Sequence, residues 1–561
     1  MIINKVVLLH LPFWTPLIPP LGISSIKSYL TRNGFDVKIY DANSNEEYKA
    51  IYSRYFSYIK KNVPEEDWGN FYSIGTDILR NHLMAHLFKK CDEDFMSLLK
   101  LLFKQIYNYN ASDLFIKHLD NIIYSFYEWE EKYLYEILND DEPSVIGISV
   151  KKDTLAASLF AFKKIKQINE KITTIMGGTI FSEQLPINSP DFNYFLERTK
   201  SYIDRYIIGH GEEVFLKLLK NEVSSDKQLI IQSEFKSLKT FSELNISPDF
   251  SDFNIDIYPY MGVSGSTGCY FNCTFCNVVT YFGKYCQKEV KVIVDELERL
   301  NQQYSSQLFF MCDNMVNTYI TELSEEIYRR NLSVYWSAYM RVEKKAANID
   351  EIVKWRCGGM YSARIGIDSA SQRILDMMDK RISVEDSKIM LKNLASVGIK
   401  PTAYWLIGHP GETEEDFQMT LDYLTEMKDY IWEAECEYFN YYYAGQSNSK
   451  DWANQRILLY PEKYKEMIFI DKWIVGGEPS FEVIFSRVRR FVNHCKIIGL
   501  PNPYSLKEIN MADERWKNLH SNAVPGVLDL LKKGKIINEN INFQLPRNSE
   551  NVRNNNEEFA F

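Results

Sequence analysis

The chain contains no run of about eighteen consecutive apolar residues, the length that a membrane-crossing helix needs. Its 45% hydrophobic content is scattered through short segments, which suits the strands and helices of folded domains. It also lacks basic excess. Against 65 Lys and Arg stand 75 Asp and Glu, a net charge of −10. Binding along a phosphate backbone needs a basic face, so no nucleic-acid partner is expected. The pattern of a secreted disulfide framework is missing as well. The nine cysteines are odd in number and three of them crowd into 269–276, which fits reduced thiols and a cytoplasmic location. There is neither a G-x-G-x-x-G segment nor a P-loop, which removes the simplest nucleotide sites. Met1 to Trp14 is apolar but has no basic n-region and no small-residue cleavage site. Pro12 breaks this stretch, and Pro16, Pro19 and Pro20 interrupt the residues after it. A buried first strand is expected there rather than a signal peptide or a membrane span.

What is present is alternation. At roughly 100–200 residues per domain, 561 residues predict about three domains. Val6–Leu9, Val37–Tyr40, Val145–Val150, Thr174–Met176 and Tyr206–Ile208 read as buried strands. Helical periodicity lies between them at Ile23–Asn33, Leu155–Asn169 and Glu212–Leu219. Strand–helix alternation predicts an α/β fold with a doubly wound parallel sheet over residues 1–225. A helical insertion interrupts it at about 44–141, where Phe95, Leu98, Leu99, Leu102 and Ile106 share one helical face. Residues 226–257 read as a polar linker. A second βα series occupies 258–429, with strands near Leu308–Met311, Val334–Ala338, Ala363–Ile367 and Thr402–Ile407. Repeated βα units predict a partial barrel with its chemistry at the C-terminal ends of the strands. Residues 430–546 read as a mixed α+β substrate or accessory region, and 547–561, rich in Asn and Glu, as a disordered tail.

Cys269, Cys273 and Cys276 are spaced C-x3-C-x2-C. Three thiolates in one tight loop can hold three corners of a 4Fe-4S cube and leave the fourth iron open to a small molecule. The rival is structural zinc, which wants four closed ligands; Cys286 or Cys312 would have to supply the fourth.

The cysteine loop, with Phe275 just before its last thiol, resembles the radical S-adenosylmethionine (SAM) superfamily. Gly366-Ile-Asp-Ser-Ala-Ser-Gln372 resembles its fourth-strand segment, with Asp368 where glutamate is commoner, and Gly408-His-Pro-Gly-Glu-Thr413 its fifth-strand turn. Met311-Cys-Asp-Asn314 and Tyr339-Met-Arg341 fall at the expected second and third strand ends. The resemblance implies that SAM chelates the open iron and is cleaved reductively to a 5′-deoxyadenosyl radical, with an electron donor such as flavodoxin or ferredoxin. It places Phe275 near the adenine, Asp313 or Asn314 at the amino group and Arg341 at the carboxylate. Asp368 or Ser369 would meet the ribose, and Gly408 would lie in the cofactor-binding turn. Each position has a structural alternative: a strand-ending turn, a helix cap, a surface ion pair or a tight bend.

Gly22, Ser149, Gly177, Gly178, Gly209 and Glu212 lie at or just beyond predicted strand ends, where a doubly wound sheet binds ligands. This layout resembles the cobalamin-binding domain that precedes the radical core in one subgroup, and it implies cobalamin at those positions. The D-x-H-x-x-G segment that carries the cobalt ligand in many such domains is missing; His10 ends the first strand in different surroundings. Together the resemblances imply a cobalamin-dependent C-methyltransferase acting on a peptide or small-molecule natural product. The alternative is a radical epimerase or ring-forming maturase, for which Cys436 or Cys495 would donate hydrogen. Tyr438-Phe-Asn-Tyr-Tyr-Tyr443 reads as a substrate-pocket wall or a buried aromatic strand.

Overall fold

The structure, a computed structural model, describes residues 5–12, 17–89, 91–187, 189–235, 238, 241–443, 446, 452–503 and 506–531. The expected tail at 547–561 lies outside the described residues. Two compact units result, one of Met1–Tyr258 with Asn440–Gly476 and one of Pro259–Phe439 with Gly477–Phe561.

The first unit is built on six parallel strands in the order β2-β1-β3-β4-β5-β6. They are β1 (Val6–His10), β2 (Val37–Asp41), β3 (Val145–Ser149), β4 (Thr173–Gly177), β5 (Arg205–Ile208) and β6 (Leu229–Ile231). Strand β1 is buried along its whole length, as a central parallel strand covered on both faces must be. Val6 pairs with Val37 on one side and Val145 on the other. The winding therefore reverses between β1 and β3, and their C-terminal ends form a topological switch point.

Four helices intervene between β2 and β3: α1 (Glu46–Asn62), α2 (Phe71–Phe88), α3 (Asp92–Tyr107) and α4 (Asp113–Asp141). Their ends are marked by capping. The Asn45 side chain accepts from the N–H groups of Glu47 and Tyr48, and that of Ser112 accepts from Phe115 N–H. The five α3 residues that share one face in the sequence are all buried.

Strand β6 lies inside the stretch that reads as a linker. A single Leu-Ile-Ile triplet completes the edge of the sheet, too short a run to betray a strand on its own. The stretch that reads as one C-terminal region is also divided. Asn440–Gly476 belongs to the first unit, where Arg456–Leu458 pairs antiparallel with Trp473–Val475.

The second unit has six parallel strands in chain order: β7 (Met261–Val263), β8 (Leu308–Met311), β9 (Tyr335–Arg341), β10 (Met360–Asp368), β11 (Lys400–Ile407) and β12 (Glu433–Tyr438). Each neighbour is the next strand along the chain, and the sheet is left open between β7 and β12, a partial barrel. The sequence places the end of the core near Asp429, yet β12 lies beyond it. Glu433, Glu435 and Glu437 alternate with Ala434, Cys436 and Tyr438, so acidic residues on one face hide the strand from a search for apolar runs. Helix Phe481–Ile498 packs on β12, and Cys436 and Cys495 are both buried.

Candidate active site

The cysteine loop leaves β7 at the C-terminal edge of the barrel and is tied down on both sides. Gly265 N–H donates to Asp313 Oδ1 at 2.9 Å, and Ser266 N–H and the Tyr319 hydroxyl donate to the same carboxylate. Asn314 Oδ1 accepts from Gly268 N–H at 3.1 Å. On the other side, Thr274 N–H donates to the Met378 carbonyl at 2.9 Å and Thr274 Oγ1 to that of Met377 at 3.3 Å. These carbonyls end the helix Gln372–Met377 that comes after β10. Gly268 has φ +78°, and a Cβ there would lie 2.8 Å from the Gly283 carbonyl oxygen. The loop backbone therefore needs glycine at that point.

Cys273 is buried, and Cys269 and Cys276 are half-buried. Burial pushes the Cys276 thiol up to about 11, with Cys273 and Cys269 close enough to add to the rise. Arg341, at the end of β9, donates from Nη1 to Cys273 Sγ at 3.1 Å. Its guanidinium lies 3.7 Å from the centre of the Phe271 ring, a stacked cation–π contact, and Nη2 donates to the Lys380 carbonyl. Lys380 Nζ forms a buried ion pair with Asp368 and stands 5.7 Å from the Phe275 ring centre. Three soft donors on one loop with a fixed cation beside them suit an anionic iron–sulfur cube. Among the described residues, no group of three His, Cys, Asp or Glu side chains could hold a single metal ion. Zinc needs its donors drawn to about 2.3 Å from one centre, whereas a cube takes one thiolate at each of its separated corners.

The other expected SAM-site residues take specific places. Asp313, expected at the amino group, is buried and committed to two backbone N–H groups and a phenol, which makes it a loop anchor. Asn314 anchors the loop too. Asp368 has φ +66° and points its carboxylate at Lys380; the N-cap position of the helix after it is Ser371, whose side chain makes no capping hydrogen bond. Ser369 Oγ accepts from Ser371 N–H at 3.1 Å. Gly408 has φ +86°, and a Cβ there would meet Ile484 at 2.4 Å. Its N–H donates to Glu412 Oε2 at 2.9 Å, so packing within the unit explains the glycine.

Sequence reasoning misses Lys380 and Phe271. Lys380 lies in a turn between two left-handed residues, Asp379 and Arg381, and no motif marks it. The register places Arg341 beside Gly366 and Gly366 beside Tyr404. On this face Arg364 donates to the Tyr404 hydroxyl at 2.6 Å, and Glu433, pushed well up by burial and by Glu435, accepts from Thr402 at 3.1 Å.

In the first unit, Ser149 and Gly177 pair at the ends of β3 and β4. Gly178 has φ +113°, and a Cβ there would sit 2.3 Å from the Val150 carbonyl oxygen. Gly209, φ +102°, is covered by Gln232, whose Oε1 accepts from His210 N–H at 2.9 Å. The sequence suggests that both glycines admit a cofactor, but the protein's own backbone and Gln232 explain them. Gly22 is exposed in helix Leu21–Arg32 with nothing near its Cβ position. Two orphans remain at this edge. His10 Nδ1 and Glu212 Oε2 are buried without a hydrogen-bond partner, and burial holds His10 well below the usual imidazole range. His10 lies at the switch point and Glu212 follows β5 along the same edge; unsatisfied buried polar atoms there are what a polar ligand would relieve, so the edge fits a corrinoid.

An open parallel barrel with a three-cysteine loop beyond its first strand defines the class. Residues 263–424 match the family model described as "Radical SAM superfamily", so this segment of the chain is a radical SAM domain. It is 26% identical over 317 residues to an uncharacterized methyltransferase of Pyrococcus horikoshii, covering 52% of this chain and 66% of that one. It is 24% identical over 332 residues to an anaerobic magnesium-protoporphyrin IX monomethyl ester cyclase of Rubrivivax gelatinosus, covering 54% and 58%. The chain thus spans less than two thirds of these curated relatives. Among solved structures, the fold matches the radical SAM methyltransferase TsrM from Kitasatospora setae, determined with cobalamin and a [4Fe-4S] cluster. That match has a TM-score of 0.58 at 12% identity, over 92% of this chain and 99% of that one. Among the described residues, no helix is long and apolar enough to cross a membrane.

Proposed function

We propose that this chain is a cobalamin-dependent radical SAM enzyme that methylates an unactivated carbon of a peptide or small-molecule natural product. The observation that carries the proposal is the cysteine loop, tethered by Asp313, Asn314 and Thr274 at the open end of a parallel barrel. The doubly wound sheet with its orphaned polar atoms, and the fold shared with TsrM, support the corrinoid part of the reading.

When bound, the cluster supplies one electron to the SAM sulfonium and the corrinoid supplies a carrier for the methyl group. Cys269, Cys273 and Cys276 would hold the cluster. Arg341, whose guanidinium lies over the Phe271 ring, would pair its planar fork with the carboxylate of SAM. Asp368, now paired with Lys380, would have to share its carboxylate with the ribose hydroxyls, and Phe275 would pack against the adenine. In the first unit, His10, Ser149 and Glu212 would face the corrinoid. Cys436 and Cys495 are buried, and burial pushes both thiols up. Cys436 alternates with Glu435 and Glu437 along β12 and faces away from them, which favours methyl transfer over hydrogen donation by these thiols.

The test is anaerobic purification, then iron, sulfide and corrinoid analysis and an assay for 5′-deoxyadenosine. Wild type is expected to bind both cofactors and release the nucleoside. The Cys269→Ala, Cys273→Ala and Cys276→Ala variants are each expected to lose most of the iron and all nucleoside release while keeping the corrinoid. Iron retained in all three variants would refute the cluster assignment. A wild-type protein that takes up no corrinoid would refute the methyltransferase reading.

A further inference from the structure

The inner wall of the second unit's barrel carries side chains that no step above uses. Successive residues of a strand point to opposite faces of the sheet. In β9, Trp336, Ala338 and Met340 are buried, whereas Tyr339 is 39% exposed. Arg341, the next residue on the Tyr339 face, reaches Cys273. Tyr339 therefore points into the barrel, two residues or about 7 Å below the cysteine loop. The same alternation sets Phe310 of β8, Arg364 of β10, Tyr404 of β11 and Glu435 of β12 on the inner face, all of them half-buried. Ring centres of Phe310 and Tyr339 lie 5.6 Å apart, and those of Tyr339 and Tyr404 5.7 Å. One step further down, Ser337, Ser362, Thr402 and Glu433 are buried. The barrel interior is thus open at the level of Arg364 and closed beneath it.

Arg364 is the unmatched member of this wall. Its guanidinium stands 5.3 Å from the Phe310 ring centre and 5.9 Å from that of Tyr339. Among the described residues, the Tyr404 hydroxyl is its one hydrogen-bond acceptor, and it has no ion-pair partner. Glu435 is joined to it only through Tyr404, whose hydroxyl donates to Glu435 Oε1 at 3.4 Å. Nε is buried with no partner at all. Arginines withdrawn from water are normally paired, and a guanidinium has five N–H donors in one plane. A carboxylate is the planar acceptor that this fork matches. Glu433 and Glu435, two strands away, disfavour a second negative charge on the ligand, which selects a carboxylate over a phosphate dianion.

We propose that the barrel cavity binds an aromatic carboxylic acid, with its carboxylate on Arg364 and its ring against Phe310 and Tyr339. Calling this acid the substrate rests on the radical enzyme proposed above; the binding itself does not. A neutral amide of the same shape would fill the cavity without meeting the charge, and a charge-assisted hydrogen bond separates the two by about tenfold or more.

The test is calorimetric titration of the full-length, cluster-reconstituted protein with phenylacetate and with phenylacetamide, with and without SAM and in the absence of reductant. The acid is expected to bind at least about tenfold more tightly than the amide in both states. In Arg364→Gln, which can still donate to Tyr404, the ratio is expected to fall below about threefold. Arg364→Lys keeps the charge but not the planar fork, and is expected to lower the ratio at least about threefold from wild type. This variant decides the matter if Arg364→Gln does not fold. Equal binding of acid and amide by wild type, binding of neither, or an acid preference untouched in the folded variants overturns the proposal. A preference that vanishes when SAM is added also overturns it, because the acid then takes the place of the SAM carboxylate at Arg341. Failure to assemble the cluster would instead count against the radical reading and leave the acid-to-amide ratio to be judged on the protein without it.

Discussion

The carboxylate of Asp313 gathers two backbone N–H groups and a phenol from the segment that leads into the cysteine loop. Asp313→Ala would leave those donors buried and unpaired, at a cost of about 2–4 kcal/mol. A lower urea midpoint and loss of iron on desalting are expected together; an unchanged midpoint would show that the anchor is dispensable. Glu412 makes a pH-dependent case. Burial raises its carboxyl from 4.5 to about 7, although Gly408 N–H and Arg487 oppose the rise. A raised acid binds its proton more tightly in the folded state, so the stability it contributes is full below about pH 4.5 and lost as the pH rises through about 7. Glu412→Gln cannot titrate. Its stability relative to wild type is therefore expected to climb by about 2–3 kcal/mol between pH 4 and pH 8. Urea midpoints of the two proteins across that range would show a constant difference if Glu412 were not titrating there.

At the scale of elements, two glycines that look alike in the sequence behave in opposite ways. Gly408 has a left-handed backbone and lies against Ile484 of the helix that covers β12. Gly408→Ala combines backbone strain with overpacking and is expected to cost about 2–4 kcal/mol. Gly22 lies in the first turn of a helix, with open space around it. Gly22→Ala is expected to stabilise the protein by about 0.5 kcal/mol, seen as a small rise in melting temperature. Corrinoid uptake by the same variant asks whether that face needs a bare backbone: undiminished uptake removes Gly22 from the binding surface. Element legibility divides in the same way. Strands β1 and β3 are readable because parallel strands buried on both faces are largely apolar, edge strand β2 because its apolar residues alternate, and helix Glu212–Leu219 because helices repeat every 3.6 residues. Strands β6 and β12 are not readable, one because it is three residues long and the other because its alternating glutamates face the barrel interior.

At the scale of the whole molecule, the chain folds as two units, and the first is completed by Asn440–Gly476, which returns after nearly two hundred intervening residues. A ligand that binds one folded unit stabilises it by mass action, by about 2.7 kcal/mol at a hundred times its dissociation constant. Hydroxocobalamin is therefore expected to raise the melting transition that involves the first unit. In wild type, cluster reconstitution is expected to raise that of the second. Calorimetry on the three cysteine variants should show the first shift and not the second. Loss of both shifts would mean that the two sites are not separable.

The local spacing of residues determined the three thiols, the βα alternation and the helical insertion, because thiol spacing and apolar period are properties of neighbouring positions. Tertiary structure alone decided that Lys380 meets Asp368, that Asp313 and Asn314 hold the loop, and that Lys472 joins Arg80 and Lys152 around Asp77. Those partnerships join residues separated by 12 to 395 positions. They depend on sheet register and on close packing of side chains, and no period along the chain records which distant atoms that packing brings together.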